Sequence, residues 1–473
     1  MQRALLITLV AASYLLYAGA RPWTLAPLLA LAGLGALIAP RRTFLFHPSF
    51  RMLDLSLIAL GAAIAIQLIP LPLALVNLLS PHGEPVRTSM RFQVGAQPEA
   101  AWLPLSINPD ATWLALGTVI LGVLSFWIAR ATFGAGGQTR AFLRAITLIG
   151  AGVAMLAIVQ KAVTPRLMLF TLASESRSAN PFGAFVNRNH MAAWLLLVAM
   201  LVAGYLAARL RTAPDFRGQW QPALKHFLVA GVVLGAMAWL LIVGVMLLTL
   251  SRSAVAALGV AAMVVWYAGR PRMTIERTNV PTVLGIAGGL LIGAMLFIDI
   301  DGWTSRVQHS LEETGEFSRA TIWRESVPVI RDFWLTGTGA GTYSDAMTQY
   351  QESRVWVESM QRWAHFNNAH SHYVQLASEG GLLLVVPALL ALIALVALAR
   401  STIRAEKGEM FWVRLGAAAG LCGLAAQSIW ETSLIMPANA VLAGVAAGLL
   451  VYRREVPRAE TSLTAQRLTP RMS

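Results

Sequence analysis

The sequence predicts an all-α polytopic membrane protein, with about twelve transmembrane helices and one large, partly helical loop outside the membrane. Of its 473 residues, 56% are hydrophobic and only 13% are charged, whereas soluble domains contain about 25% charged residues. The mean hydropathy of +0.61 supports the same class. Apolar runs of about 17–25 residues, the length that crosses a bilayer as a helix, recur along the chain. Because these runs lack strand-like alternation, a membrane β-barrel is excluded.

The apolar runs define the domain organisation. Residues 1–300 contain the first nine candidate spans, residues 301–371 form the large loop, residues 372–452 contain the last three spans, and residues 453–473 form a basic tail. We expect Pro70 and Pro72 to break the third span, and Asp110 to cap the fourth. The candidate spans are residues 4–20, 23–38, 53–79, 112–128, 145–159, 191–208, 227–250, 254–268, 283–298, 382–399, 413–428 and 440–452.

The distribution of Lys and Arg predicts the orientation. With the N-terminus in the cytoplasm, most basic residues of the short connections fall on the cytoplasmic side, as membrane proteins prefer. Both termini are then cytoplasmic, and the large loop lies outside. Arg3, the apolar run after it and Ala18-Gly19-Ala20 imitate a cleavable signal peptide. Because Trp23 starts another span at once, we expect the first helix to be retained.

Composition excludes several other classes of function. The single cysteine, Cys422, lies in an apolar run, so neither an intramolecular disulfide nor a cysteine zinc motif is expected. The net charge of +14 does not indicate a nucleic-acid partner, because the basic residues do not interleave with aromatics on a soluble face. In a membrane chain, basic excess reports topology and contact with anionic lipid head groups.

Two arginines stand where a predicted span meets the outer face. Arg188 begins one span, and Arg252 interrupts the apolar run between two others. Charge at membrane depth is costly and is usually paired, directed to the interface or functional. A planar guanidinium group suits a two-point grip on phosphate. The alternative for each arginine is a side chain that only reaches towards the membrane surface.

The large loop contains further candidates. Arg319 and Arg324 lie on a predicted loop helix over residues 316–332. At positions i and i+5 they are not close neighbours on a helix, so only one faces a common site, and we favour Arg319. The alternative is that both lie on a solvated face.

Three histidines fall within eight residues at the end of the loop, namely His365, His370 and His372. An imidazole with an unperturbed pKa near 6.5 suits a general base at neutral pH. We favour His370, at the junction of loop and span, with the other two as competitors. The pair His370 and His372 with Glu379 is a weak metal pattern, because it lacks a helical i, i+4 partner. We therefore expect neither a metal nor a cofactor.

Four motifs occur in order along the chain. Asn187-Arg188-Asn189-His190 opens a span, and Leu250-Ser251-Arg252-Ser253 separates two spans. Arg319-Ala320-Thr321-Ile322-Trp323 precedes the glycine turn Gly337-Thr338-Gly339-Ala340-Gly341, and Asn368-Ala369-His370-Ser371-His372 precedes Glu379-Gly380-Gly381. Over roughly residues 105–452 these motifs resemble the bacterial O-antigen ligase and polymerase family. The chain departs from the family's histidine pattern at Leu384, which replaces its last glycine.

The resemblance implies an inverting, metal-independent glycosyl transfer at the periplasmic face of the inner membrane. The donor would be a glycan on undecaprenyl pyrophosphate, and the acceptor a sugar hydroxyl on lipid A–core or on a lipid-linked repeat unit. By the same resemblance Arg188, Arg252 and Arg319 would hold the pyrophosphate, and His370 would take the acceptor proton or orient the acceptor. Secondary candidates for the site are Asn187, Asn189, Arg324, His365, Ser371 and His372.

The resemblance leaves the acceptor open. A ligase transfers the finished glycan to lipid A–core, a polymerase joins it to the next repeat unit, and a protein O-oligosaccharyltransferase modifies serine or threonine. The lack of an added soluble domain argues against the last. A transporter or flippase is the alternative of another class. It predicts two repeated halves and ionisable residues at the midplane, and neither is visible in the sequence.

Overall fold

The computed structural model describes residues 1–39, 48–90, 101–136, 139–173, 180–211, 231–272, 318–354, 356–357 and 362–454. The predicted span at residues 283–298, the first residues of the predicted loop helix and the tail from residue 455 lie outside the described residues. The predicted total of about twelve spans therefore stays a prediction.

The described part of the chain is an all-α bundle. Its helices before the large loop are α1 (Gln2–Leu15), α2 (Pro22–Leu37), α3 (Arg51–Leu68), α4 (Leu73–Leu79), α5 (Gly83–Met90), α6 (Pro109–Gly134), α7 (Thr139–Val163), α8 (Arg188–Arg211), α9 (Val232–Leu248) and α10 (Arg252–Gly269). In and after that loop they are α11 (Arg319–Asp332), α12 (Tyr343–Tyr350), α13 (His372–Ala405), α14 (Met410–Gln427) and α15 (Pro437–Val451).

Short antiparallel strand pairs occur only in the connections of the described chain. They are β1 (Leu71–Pro72) with β2 (Trp102–Leu103), β3 (Leu167–Met168) with β4 (Leu172–Ala173), and β5 (Trp356–Val357) with β6 (Arg362–Trp363). Strand β1 occupies the predicted break between Pro70 and Pro72, so α3 and α4 are separate helices. The predicted cap of α6 was wrong: Asn108 caps it, with Oδ1 accepting from the Ala111 amide at 3.3 Å. Pro109 occupies the first helical position, so the cap residue must precede it.

The helices have the length and composition of membrane spans. Seven described helical segments are long and apolar enough to cross a membrane, and four shorter helices are also apolar. The chain is thus a polytopic membrane protein. The seven are Pro48–Leu68, Pro109–Gly134, Thr139–Val163, Arg188–Leu210, Arg252–Arg272, His372–Ala405 and Met410–Gln427, and the shorter four are Gln2–Leu15, Pro22–Leu37, Val232–Leu248 and Pro437–Val451.

Helix α8 is the centre of the bundle, since its side chains from Met191 to Val202 are almost entirely buried. It runs antiparallel to α14, and small residues allow the two backbones to approach closely. A Cβ atom added at Gly204 would lie 2.6 Å from the Trp412 carbonyl oxygen, and one at Gly416 would lie 2.4 Å from the Met200 oxygen. By contrast, Leu382, Val386 and other large apolar side chains of α13 are exposed, as lipid-facing residues would be.

We call the loop end of the bundle the end at which α8, α10, α13 and α15 begin and α14 ends. Gln427 at the end of α14 donates to the Asn189 carbonyl oxygen at 3.1 Å, and the His372 amide donates to the Ser428 carbonyl oxygen at 2.9 Å. Asn439 of α15 donates to the His190 carbonyl oxygen at 3.1 Å. These contacts bring the predicted site motifs on α8 and α13 to one end of the bundle.

At the opposite end, a buried ion pair joins α3 to α6. Asp54 accepts from Arg130 Nη1 at 2.7 Å and Nη2 at 3.0 Å, and from Trp127 Nε1 at 2.9 Å. The Arg130 guanidinium also lies 4.4 Å from the centre of the Phe50 ring. A buried ion pair is weak evidence for stability, because the cost of desolvating both charges offsets their attraction. This pair joins two helices that line a cavity at the loop end.

Candidate active site

Glu431 lies at the centre of a polar cluster at the loop end, in the connection between α14 and α15. Its Oε1 accepts a hydrogen bond from Asn189 Nδ2 at 2.6 Å and forms an ion pair with Arg319 Nη2 at 2.8 Å. Arg188 is near enough to act on Glu431 electrostatically. One carboxylate thereby links the start of α8 to the start of α11, although 112 residues separate Glu431 from Arg319.

The Glu431 carboxyl titrates near neutral pH. Burial raises its pKa to about 7, while Arg319, the Asn189 hydrogen bond and Arg188 each act to lower it. Only 1% of the Glu431 side chain is exposed, against 37% for Arg319. The arginine therefore reaches from a buried carboxylate towards water, where an anionic ligand could contact it.

His370 occupies the turn just before α13, and both sides of this turn are fixed. Trp323 Nε1 of α11 donates to the Ala369 carbonyl oxygen at 2.9 Å, and Ser371 caps α13. The backbone of His370 is left-handed, with φ of +48°, which costs a residue with a side chain about 1–2 kcal/mol. Such outliers often lie at functional sites.

The electrostatic surroundings keep the His370 imidazole neutral. Burial and, to a smaller extent, the neighbouring Arg319 charge together lower its pKa to about 4. The second imidazole of this region, His190 on α8, is close enough to interact with His370 electrostatically, and its Nδ1 is buried without a partner among the described atoms. Arg319 thus lies between two groups, the Glu431 carboxylate and the His370 imidazole, and interacts with both.

Arg252 lies at the same end of the bundle but apart from this cluster. It is exposed at the first turn of α10, and Ser251 caps that helix by accepting from the Ala254 amide at 3.4 Å. Leu250, just before this cap, is also left-handed, with φ of +54°. No hydrogen bond or ion pair joins Arg252 to the other candidates within the described residues.

The secondary candidates take different positions. Asn187 Oδ1 accepts from the Asn189 amide at 2.9 Å at the start of α8. Arg324 is exposed on α11, and His365 lies beside Ser344, with Nε2 2.8 Å from its carbonyl oxygen. His372 is the first residue of α13 and lines a cavity. Of Arg319 and Arg324, it is Arg319 that contacts Glu431.

The glycine turn docks the large loop onto α13. Glu379 accepts from the amides of Gly341 at 2.8 Å and Tyr343 at 3.1 Å, and Gln67 of α3 bridges the Thr336 and Glu379 carbonyl oxygens. Close backbone packing requires the glycines, since a Cβ atom at Gly337 would lie 2.1 Å from the Glu379 oxygen. The turn therefore positions the loop.

Gly381 forms the other half of this junction. Its backbone angles, φ of 51° and ψ of −156°, lie close to a region that is almost exclusive to glycine. The chain bends there so that the Leu382 amide can donate to the Trp334 carbonyl oxygen at 2.8 Å. Leu384, which replaces a glycine of the resembled pattern, is buried against Ala340 and Leu116.

Part of the chain that contains these residues is similar to a known protein family. Residues 236–389 match the family model described as O-antigen ligase. Over this stretch the chain is similar to the O-antigen ligase family. The matched stretch contains Arg252, Arg319 and His370, whereas Arg188 and Glu431 lie outside it. No curated protein matches the chain.

Similarity to the O-antigen ligase family supports, in general terms, a membrane enzyme of glycosyl transfer that acts on lipid-linked glycans. Sequence reasoning missed one residue of the cluster, Glu431. Its signal was present, because an acidic residue between Trp430 and Thr432, at the boundary of a span, is costly unless it has a partner. Its partner could not be read from the sequence.

Proposed function

We propose that this protein, which is similar to the O-antigen ligase family over residues 236–389, transfers an oligo- or polysaccharide from undecaprenyl pyrophosphate to an acceptor hydroxyl. The reaction takes place at the periplasmic face of the bacterial inner membrane, is metal-independent and inverts the anomeric carbon. The observation that supports it best is the contact of Arg319 and Asn189 with Glu431, beside Arg188 and next to His370. The loop end is then the periplasmic end.

The arginines act on the leaving group. As the bond between the anomeric carbon and the phosphate oxygen breaks, its electron pair passes to the pyrophosphate. Guanidinium groups held in place stabilise this growing charge. Arg188 and Arg319 are within electrostatic reach of Glu431, and we assign Arg252, exposed at the start of α10, to the same leaving group.

His370 acts on the acceptor. The acceptor oxygen attacks the face of the sugar opposite to the pyrophosphate, and its proton passes to the imidazole. With a pKa of about 4, His370 is neutral and able to accept that proton at pH 7, but it is a weak base. The proton therefore moves late, when the new carbon–oxygen bond has made the hydroxyl acidic.

A deletion strain tests the function through its surface glycan and lipid fractions. Long glycan on undecaprenyl pyrophosphate with bare lipid A–core identifies a ligase, whereas single repeat units identify a polymerase. Loss of glycosylated protein alone identifies the protein-modifying branch. No change in any fraction contradicts the proposal.

The same strain tests the role of Arg319 against a matched arginine of α11. Arg331 is exposed and pairs with its neighbour Asp332. We expect Arg331→Ala to restore wild-type glycan and Arg319→Ala to leave at most about one-hundredth of the transfer, the scale of losing one charge-stabilising group. Equal restoration by both variants, at equal protein levels, contradicts the assignment of Arg319.

A further inference from the structure

The loop end contains an apolar cavity that neither α8 nor its Arg188 lines. Its volume is about 420 Å³, within the usual range of ligand sites, roughly 300–1,000 Å³. Helices α2, α3, α6 and α13 form its walls, and the connection before α15 closes one side. Apolar side chains, among them Leu25, Ile64 and Leu384, provide most of its surface.

The polar end of this cavity touches the proposed catalytic turn. His372, two residues after His370, lines it together with Glu379. The His372 Nδ1 atom is buried and has no hydrogen-bond partner among the described atoms. One lining residue of the cavity is thus two positions along the chain from His370, the proposed acceptor of the proton.

The cavity differs from the arginine cluster in charge. Arg188, Arg319 and Glu431 do not line it, and Arg21 is the one cationic side chain among its described lining residues. Arg21 donates to the Ala173 carbonyl oxygen at 3.0 Å, while the Glu379 carboxyl group also faces the cavity. The cavity offers a pyrophosphate one arginine and one carboxyl group, whereas the cluster offers two arginines and one carboxyl group. The cluster therefore suits the donor head group better.

The rim of the cavity is apolar as well. Leu114 of α6 and Ile435 before α15 line it, and each is 38% exposed. A second apolar groove of about 310 Å³ follows the same helix pair, α3 and α6, and shares Val119 with the first cavity. In a membrane protein such a rim adjoins lipid, so a hydrocarbon chain can enter from the side.

We propose that this cavity binds a hydrocarbon chain of a lipid-linked acceptor, while the arginine cluster binds the pyrophosphate of the donor. The inference rests on the proposed glycosyl transfer and adds that the acceptor is anchored in the membrane. The hydrocarbon chain of the acceptor contributes binding free energy through burial of apolar surface. It also places the acceptor head group next to His370 and His372. The two substrates then occupy separate sites, one lined by His372 and the other formed by the arginine cluster beside His370.

Two alanines of α13 provide a matched test. Ala388 lines the cavity, whereas Ala397, further along the same helix, is exposed. We expect Ala388→Phe to raise the KM for the acceptor at least tenfold, with the donor KM within about twofold of wild type, and Ala397→Phe to change neither. The acceptor is the lipid-linked fraction extracted from the deletion strain, used intact and after hydrolytic removal of its hydrocarbon chains.

The acceptor without chains separates chain binding from a general disturbance. Wild type and Ala388→Phe should then have equal acceptor KM values, because the variant removes a contact that this acceptor lacks. Thr118→Phe fills the cavity from α6 and should behave in the same way, so the test does not depend on the folding of one variant.

Several results overturn the inference. The first three concern Ala388→Phe and Thr118→Phe: an acceptor KM equal to wild type, an equal rise in KM for intact and chain-free acceptors, or a rise in the donor KM alone. The fourth is the finding that the acceptor is a protein. If the wild-type protein transfers no glycan, the proposed function itself is contradicted. This result differs from the four above, in which wild-type transfer is observed.

Discussion

The substitution Glu431→Gln removes the charge that holds Arg319 and keeps the shape of the side chain. Breaking a fully buried ion pair costs about 3–5 kcal/mol, and an exposed pair contributes about 0–1 kcal/mol. Glu431 is 1% exposed and Arg319 is 37% exposed, so the arginine can regain part of its hydration. We therefore expect a cost of about 1–3 kcal/mol to the docking of α11, between the two limits.

The matched control is a second glutamate–arginine pair at the opposite end of the bundle. Glu409 contacts Arg140, with 24% of the glutamate and 55% of the arginine exposed. Because water screens this pair, Glu409→Gln should cost less than about 1 kcal/mol. It should also leave transfer unchanged, since the pair lies far from the proposed site.

Limited proteolysis measures the docking of α11. Trypsin can cleave after Arg331 only when this helix unfolds locally, so the cleavage rate follows the open population. A cost of 1–3 kcal/mol predicts roughly 5- to 150-fold faster cleavage in Glu431→Gln. We also expect its transfer rate to fall at least tenfold. A variant as resistant and as active as Glu409→Gln would refute the role of Glu431.

The pH dependence of transfer identifies the titrating group. As the pH falls through about 7, Glu431 becomes protonated and its ion pair with Arg319 is lost, so wild-type transfer should decline below pH 7. His370, with a pKa of about 4, stays neutral over this range. Glu431→Gln should remove the decline near pH 7. If the decline persists in that variant, Glu431 is not its source.

Two further predictions concern the His370 turn and the loop junction. His370→Ala should abolish transfer and leave the rate of cleavage after Arg331 unchanged, because the imidazole lies in a loop turn and not in the helix packing. Full activity of this variant at wild-type protein levels would contradict the role of His370. Gly381→Ala should cost about 3 kcal/mol or more in loop docking, since it adds backbone strain and a Cβ atom 2.7 Å from the Trp334 oxygen. Gly152→Ala, whose Cβ atom would meet nothing within 4 Å, should instead be neutral or stabilising by up to about 1 kcal/mol. Equal proteolysis of the two glycine variants would contradict the proposed junction.

The sequence predicted the class of fold well because the hydrophobic pattern is a local signal. Apolar runs of membrane length marked the helices, and Pro70 and Pro72 marked the separation of α3 from α4. The placement of Arg188 and His370 at one end of the bundle also followed from local order, since both precede an apolar run.

Contacts between distant segments could not be predicted in the same way. Gln67 bonds to the Glu379 backbone across 312 residues, and Glu431 bonds to Asn189 across 242. No period or spacing in the sequence encodes such pairs. A buried acid or amide is expected to have a hydrogen-bond partner, but the tertiary packing determines which residue that partner is.

The Glu431 contact gives the arginine cluster a defined geometry. Without a carboxylate, Arg188 and Arg319 would repel each other and turn towards water, and binding would have to order both side chains. With it, Arg319 is already positioned, and its exposed third remains available to a pyrophosphate. The incoming anion need only share the guanidinium group with Glu431. Two arginines interact with one carboxyl group whose pKa is about 7, so the cluster keeps a net positive charge in either protonation state. The carboxylate that orders the site therefore still leaves it attractive to the proposed anionic donor.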